Sequence, residues 1–285
     1  MKLSVCTTMT DPESRRDPWK EALECYEDLA DEIVITGDNW KYDFSWEQIG
    51  KFFQEGFDKA TGDWVLRMDL DYFFHENDIL KIRKFLNSNS QEPVVAFPQY
   101  QIFSPDRYQV KTKLCIALNK KMFPQIKLNG GGDLCQPTLN GNQLVHKNAA
   151  NLNTPIFQYD SIFRTKEIIS EDRARFAKAW NTYFGNYGTR GGPEPNQAFD
   201  AWFEMIKERY LYHVLKIDID SHPKYIKERL NNINEDEFGY DLFGYKNNVE
   251  RQFRHYFTGY KQKYFQSWFN QFSFKFLYSK LSFTL

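Results

Sequence analysis

The sequence predicts an α/β protein built on a mostly parallel sheet, and three observations predict it. Strand-like runs begin near residues 3, 32, 64 and 93, about thirty residues apart. Segments with helical periodicity fill the gaps between them. The spacing is that of βαβ units, whose right-handed crossovers place consecutive strands parallel.

LSVCTTM, residues 3 to 9, reads as the first strand. WKEALECYEDLA, 19 to 30, carries Trp19, Leu23, Tyr26 and Leu29 at helical spacing. EIVITGDN, 32 to 39, reads as a strand ended by Gly37. Trp46, Ile49, Phe53 and Phe57 share one face of a helix over 46 to 60, with Gly62 as its C-terminal stop. DWVLRM is the third strand, 77 to 86 a helix, and PVVAFP, 93 to 98, the fourth strand. After residue 98 the rhythm stops. TKLCIAL, QIKLN and QLVH suggest an antiparallel, loop-rich section to about 157, interrupted by Gly130, Gly131 and Gly132. Helices follow over about 166 to 184 and 197 to 212, then a strand in VLKIDID and the segment HPKYIKERL. We expect one domain over 1–230, divided into halves at residue 98, and an extension over 231–285.

The chain has 285 residues, 41% apolar and 26% charged, which suits a globular protein. A net charge of −1 gives no basis for binding nucleic acid. Cys6, Cys25, Cys115 and Cys135 form no C-x-x-C pair, and no apolar stretch reaches the ~18 residues of a membrane span. With no signal-peptide pattern in MKLSVCTTMTDPESRR, these features lead us to expect a cytoplasmic protein with reduced thiols.

Ligands of such sheets bind beyond the carboxyl ends of the strands. Thr7 and Thr8, Gly37 and Asp38, and Asp69 and Asp71 all fall there. Asp69 and Asp71 follow the apolar run Trp64, Val65, Leu66, Met68, which only Arg67 interrupts. On an extended segment, side chains two residues apart point to one side. The pair can therefore share a hard divalent cation such as Mg²⁺ or Mn²⁺, which completes its shell with water and phosphate oxygens. Neither a G-x-x-x-x-G-K-[ST] loop nor a G-x-G-x-x-G turn is present to cradle a diphosphate. A nucleoside diphosphate bound here would depend on metal.

LSVCTTMTD, DEIVITGDN and GFDKATGDWVLRMDLDYF resemble the first half of a GT-A-fold glycosyltransferase, most of all the broad family 2 group. Ala60, Gly62, Asp63 and Trp64 match its approach to Asp69 and Asp71. FQYDSIFRTKE resembles a later segment, with Gln158 where members carry His, and DIDSHPKYIKERL resembles their H-P-x-x-I segment. The likeness covers roughly 1 to 98, is patchy to about 230, and ends there.

The resemblance implies transfer of a sugar from a nucleotide-sugar donor to a glycan, lipid-linked or protein acceptor, with inversion. It implies that Asp71, and Asp69 directly or through water, hold Mn²⁺ or Mg²⁺. Thr7 and Asp38 would contact base and ribose, or else only cap strand ends. Lys51 is a candidate nucleotide contact, against a reading as a solvated helix lysine. His222 is a candidate third metal ligand, against a reading as a turn histidine. An inverting transfer needs a carboxylate base; the candidates are Glu194, Asp160 and, third, Asp133.

From Arg251 to Leu285 there are six Lys or Arg, thirteen aromatics and no acidic residue. Such an end suits peripheral contact with a membrane surface, or packing on the domain or a partner. Two alternative functions are weighed. One is a catalytically silent carbohydrate- or nucleotide-binding module. The other is a haloacid dehalogenase-type phosphatase, whose D-x-D, unlike this one, lies on the first strand.

Overall fold

The computed structural model describes residues 1–37, 45–128, 136–185 and 194–239. Its nine-stranded sheet is mixed and mostly parallel, flanked by helices, and a three-stranded antiparallel sheet lies beside it.

The first half forms as its periodicity predicts. Strands β1 (Leu3–Thr8), β2 (Glu32–Thr36) and β3 (Trp64–Arg67) are parallel in the order β2-β1-β3. Helices α1 (Trp19–Leu29), α2 (Trp46–Lys59) and α3 (Ile79–Ser88) connect the successive strands. Ser45 caps α2 by accepting from Gln48 N. At the other end of α2 the Lys120 ammonium donates to the carbonyls of Phe57, Asp58 and Ala60, filling valences a helix end leaves open. All four β3 residues are buried, as expected of a central parallel strand covered on both faces. Leu66 and Trp64 join the larger core with Tyr26, Phe73 and Phe97, while Val65 packs with Phe53 and Phe57 on the opposite face.

The fourth expected strand is longer and placed differently. β5 (Val94–Ser104) runs past residue 98 and pairs antiparallel with β6 (Arg107–Leu118), and β6 lies between β5 and β3. The division of the domain at 98 therefore cuts a continuous strand. Beyond β5 come β11 (Ile156–Gln158), parallel to it, and the short β4 (Tyr72–Phe73), antiparallel to β11. β10 (Ala150–Asn151) and β12 (Val214–Lys216) add to β5 and β6. The loop-rich section supplies the small sheet of β7 (Lys127–Leu128), β8 (Pro137–Leu139) and β9 (Asn142–Gln143). Asn140 and Gly141, both at positive φ, form the two-residue turn between β8 and β9.

Helices α4 (Lys166–Phe184), α5 (Pro195–His213) and α6 (Lys224–Asn231) complete the described fold. The packed domain continues beyond the boundary drawn at 230. Phe238 is buried, its carbonyl accepts from Lys166 N, and Arg16 pairs with Glu237 at 3.0 Å. The basic, aromatic segment 251–285 lies outside the described residues, as do Asp38, Asp133 and Cys135. Cys6, Cys25 and Cys115 are buried free thiols, each pushed up to about 12 by burial. Among the described residues no helix is long and apolar enough to cross a membrane.

Gly62 is required by space. A Cβ there would lie 2.5 Å from Ser4 Oγ, 2.7 Å from Ser4 N and 2.8 Å from Trp64 O. Two of those atoms are backbone and cannot yield cheaply. Gly62→Ala is expected to destabilise the fold by roughly 1–3 kcal/mol, the usual cost of overpacking. Equilibrium urea unfolding should show a lower midpoint at unchanged slope; an unchanged midpoint would show that the strand ends relax freely.

Candidate active site at the carboxyl edge of the parallel strands

The chain leaves β3 at Arg67 and turns. Met68 N donates to Cys6 O at 2.9 Å, so Met68 still lies beside β1. Tyr72 N then donates to Asp69 O at 2.9 Å and closes a turn over Asp69–Tyr72. This departs from the extended segment expected for the acidic pair. The physical reason is the Tyr26 hydroxyl, which reaches up from α1 to both ends of the turn. It lies 2.5 Å from Asp69 O and 3.1 Å from Tyr72 O. A buried tyrosine hydroxyl needs such a partner, and here it clamps the backbone between the two carboxylates.

The carboxylates stand in different surroundings. Asp69 is about one-third exposed, and the buried Arg67 guanidinium lies 3.1 Å from its Oδ2 and over the Phe53 ring at 4.7 Å. Asp71 is half-buried, and its Oδ2 accepts from Gln158 Nε2 at 3.2 Å. Burial, then the charges of Asp69 and Asp160, push the Asp71 carboxyl up to about 7, against a smaller opposing pull from Arg164. The negative charge is thus undercompensated at the strand edge.

Asp160, just beyond β11, belongs to a charge cluster. Its Oδ2 lies 2.8 Å from Arg173 and its Oδ1 3.6 Å from Arg164, and Arg164 also meets Asp17 at 2.5 Å and Asp172 at 3.1 Å. Burial opposes ionisation of Asp160, but Arg173, Arg164 and Lys111 outweigh it and hold the carboxyl at about 2. Glu194 sits immediately before α5, exposed, its carbonyl accepting from Ala198 N at 3.0 Å.

The remaining predicted residues divide. Thr7, at the end of β1, is fully buried, and its Oγ1 has no hydrogen-bond partner among the described residues. Lys51 is on the exposed face of α2, paired with Glu47 at 2.8 Å, the solvated helix lysine of the simpler reading. His222 does not join the aspartates. It is fully buried, with Nε2 2.9 Å from Pro105 O and Nδ1 2.7 Å from Tyr159 Oη. A carbonyl only accepts, so Nε2 carries the proton and Nδ1 receives the tyrosine hydroxyl. Burial lowers its pKa to about 4 and keeps it neutral. With both nitrogens engaged, His222 is a structural histidine here, and its expected role as a third ligand is corrected. Among the described residues no three His, Cys, Asp or Glu side chains gather to hold a metal ion.

Sequence reasoning missed Tyr26 and Arg67 as site residues. Arg67 left a signal, as the lone charge inside a buried strand. Tyr26 left none beyond its place on the apolar face of α1, because its hydroxyl acts on a turn far along the chain.

No family model matches this sequence, and no curated protein matches it. Among solved structures the chain is similar to S. aureus TarS 1–349 in complex with UDP, at 12% identity and TM-score 0.35, over 64% of this chain and 66% of that one. For TarS 1–349 in complex with UDP-GlcNAc the figures are 13%, 0.35, 73% and 82%. For TarS 1–349 alone they are 11%, 0.34, 90% and 89%. At these values the functional reading rests on the site itself.

The raised Asp71 pKa has a consequence for stability. Between the ordinary carboxyl value of 3.8 and about 7, the folded group keeps a proton that the unfolded chain has released. Stability therefore falls with rising pH across that window, and the full penalty stands above it. In chelator, Asp71→Asn should be more stable than the parent at pH 8 by on the order of 1 kcal/mol or more, and no more stable at pH 4. Thermal melts of both proteins across that range check this; a difference independent of pH would refute the assignment of the cause.

Proposed function

We propose that the chain is a divalent-cation-dependent glycosyltransferase that moves a sugar from a nucleoside-diphosphate sugar to an acceptor hydroxyl, with inversion. The observation that carries this reading is the clamped Asp69–Tyr72 turn. It sets two carboxylates of unlike environment at the carboxyl edge of a parallel sheet, beside the unpartnered Thr7 hydroxyl. That edge is where an open α/β sheet takes its ligand.

The donor set fits a hard cation. Asp69 and Asp71 offer oxygen ligands only, and the surplus charge that lifts Asp71 toward neutrality would be relieved by a bound dication. Mg²⁺ or Mn²⁺ held there would supply Lewis-acid stabilisation of the departing diphosphate. Tyr26 and Arg67 keep the turn and Asp69 in place. The end of β1, with the Thr7 hydroxyl buried behind it, would meet the nucleoside.

Of the two described candidates for the base, the charge environment favours Glu194. Asp160, held at about 2 between two arginines, is a weak proton acceptor and serves better to orient Arg173 and Arg164. Glu194 has no ion-pair partner among the described residues and would take the acceptor proton as the bond to the sugar forms. A lipid-linked acceptor would suit the basic, aromatic residues 251–285.

A thermal-shift panel of nucleoside diphosphates and their sugars, with and without Mn²⁺, tests the class. Stabilisation by one nucleotide only with metal is expected, and indifference to every combination would refute the proposal. Asp71→Asn should abolish Mn²⁺-dependent hydrolysis of that donor. Tight donor binding with no turnover in the parent protein would instead support a silent binding module.

A further inference from the structure

Four glutamines lie under the site on three neighbouring strands. Gln109 on β6, Gln101 on β5 and Gln158 on β11 are partners in register, and Gln99 lies two residues before Gln101 on the same face of β5. Gln99, Gln101 and Gln109 are buried, where an amide is tolerated only with its hydrogen bonds made.

The bonds form two short relays with one polarity. In the first, Gln99 Nε2 donates to Gln158 Oε1 at 2.6 Å, and Gln158 Nε2 donates to Asp71 Oδ2 at 3.2 Å. In the second, Gln109 Nε2 donates to Gln101 Oε1 at 2.7 Å, and Gln101 Nε2 donates to Asp160 Oδ2 at 3.2 Å. A carboxylate that holds a cation is ionised and only accepts, so in that state each terminal amide presents nitrogen to its carboxylate and oxygen to the amide behind. Gln99 also reaches Tyr72 Oη at 3.3 Å, which ties the first relay to the far end of the clamped turn. Oδ2 of Asp71 is thereby occupied, while Oδ1 takes no side-chain hydrogen bond among the described residues.

We propose that Gln158, backed by Gln99, is the positioning residue for Asp71: the amide relay engages one carboxylate oxygen and leaves the other aimed at a divalent cation. This rests on the metal-dependent reading above. Outer hydrogen-bond partners of metal ligands act in this way, and their loss weakens metal affinity about 10–100-fold. Asp69, by contrast, is held by Arg67 at 3.1 Å and takes no hydrogen bond from the relay's amides among the described residues.

Free Mn²⁺ in titrations of the purified full chain, followed by electron paramagnetic resonance, separates the outcomes. The parent protein should bind Mn²⁺. Gln158→Met, similar in length but without a donor, should raise the dissociation constant about ten-fold or more. Gln99→Met should shift it in the same direction by less. Gln109→Met removes an equally buried amide from the other relay and should leave Mn²⁺ affinity unchanged, which a general loosening of the core would not do. Equal affinity in the parent, Gln158→Met and Gln99→Met would overturn the relay while leaving the metal reading intact. Equal loss in all three variants would overturn it in favour of a structural role. If Gln158→Met gives no cooperative melt, Gln99→Met decides alone, unchanged affinity overturning the proposal. A parent protein that binds no Mn²⁺ would remove the metal reading and the relay together.

Discussion

The hydroxyl of Tyr26 holds the Asp69–Tyr72 turn from below, and most of the arrangement around the site depends on that contact. β4 begins at Tyr72, five residues after β3 ends at Arg67, yet four strand spacings separate the two along the sheet order. Laid flat, those spacings amount to ~19 Å at ~4.8 Å each. Five residues that include a tight turn cannot reach so far, since a turn brings its ends within ~7 Å. The sheet must curl until its far edge returns over the end of β3. The clamp closes that curl and brings β11, with Gln158 and Asp160 beside it, to the acidic turn.

Electrostatics then separate three carboxylates that share one sheet edge. Asp160 is surrounded by guanidinium groups and stays ionised. Asp69 has Arg67 on one side and solvent on the other. Asp71 has an amide and a smaller pull from Arg164 against the like charges of its neighbours, and it is driven toward the neutral form. The cation proposed for this edge would offset that unbalanced negative charge. Arg164, beside Asp160, binds α4 to the segment before α1 through Asp172 and Asp17, so the same charge also fixes the second half of the domain to the first.

The parallel half was legible because its cues are local. Trp19, Tyr26 and Leu29, or Phe53 and Phe57, mark helix faces by spacing alone, although α2 ends at Lys59 with Ala60 as its cap and not at Gly62. The acidic pair was legible too, as two carboxylates following a buried strand. His222 was misjudged for a reason of the same kind. The SHP turn that suggested a ligand is real, but the partners that consume both ring nitrogens, Tyr159 and Pro105, lie far away in the chain. Gln158 was visible only as a departure from a resembled segment. Its bond to Asp71 joins residues 87 apart in the chain and has no trace in either segment alone.

The amino-acid order by itself determined the helices and longer strands of the first half, the parallel start of the sheet, and the presence of two aspartates at the carboxyl edge of its strands. Periodicity and capping act over a few residues, so they can be read along the chain. Only the tertiary structure decided that β6 inserts between β3 and β5, that the acidic segment is a clamped turn, and which carboxylate stands ionised. Those outcomes depend on burial and on charges contributed by distant strands, and burial exists only once the chain has packed.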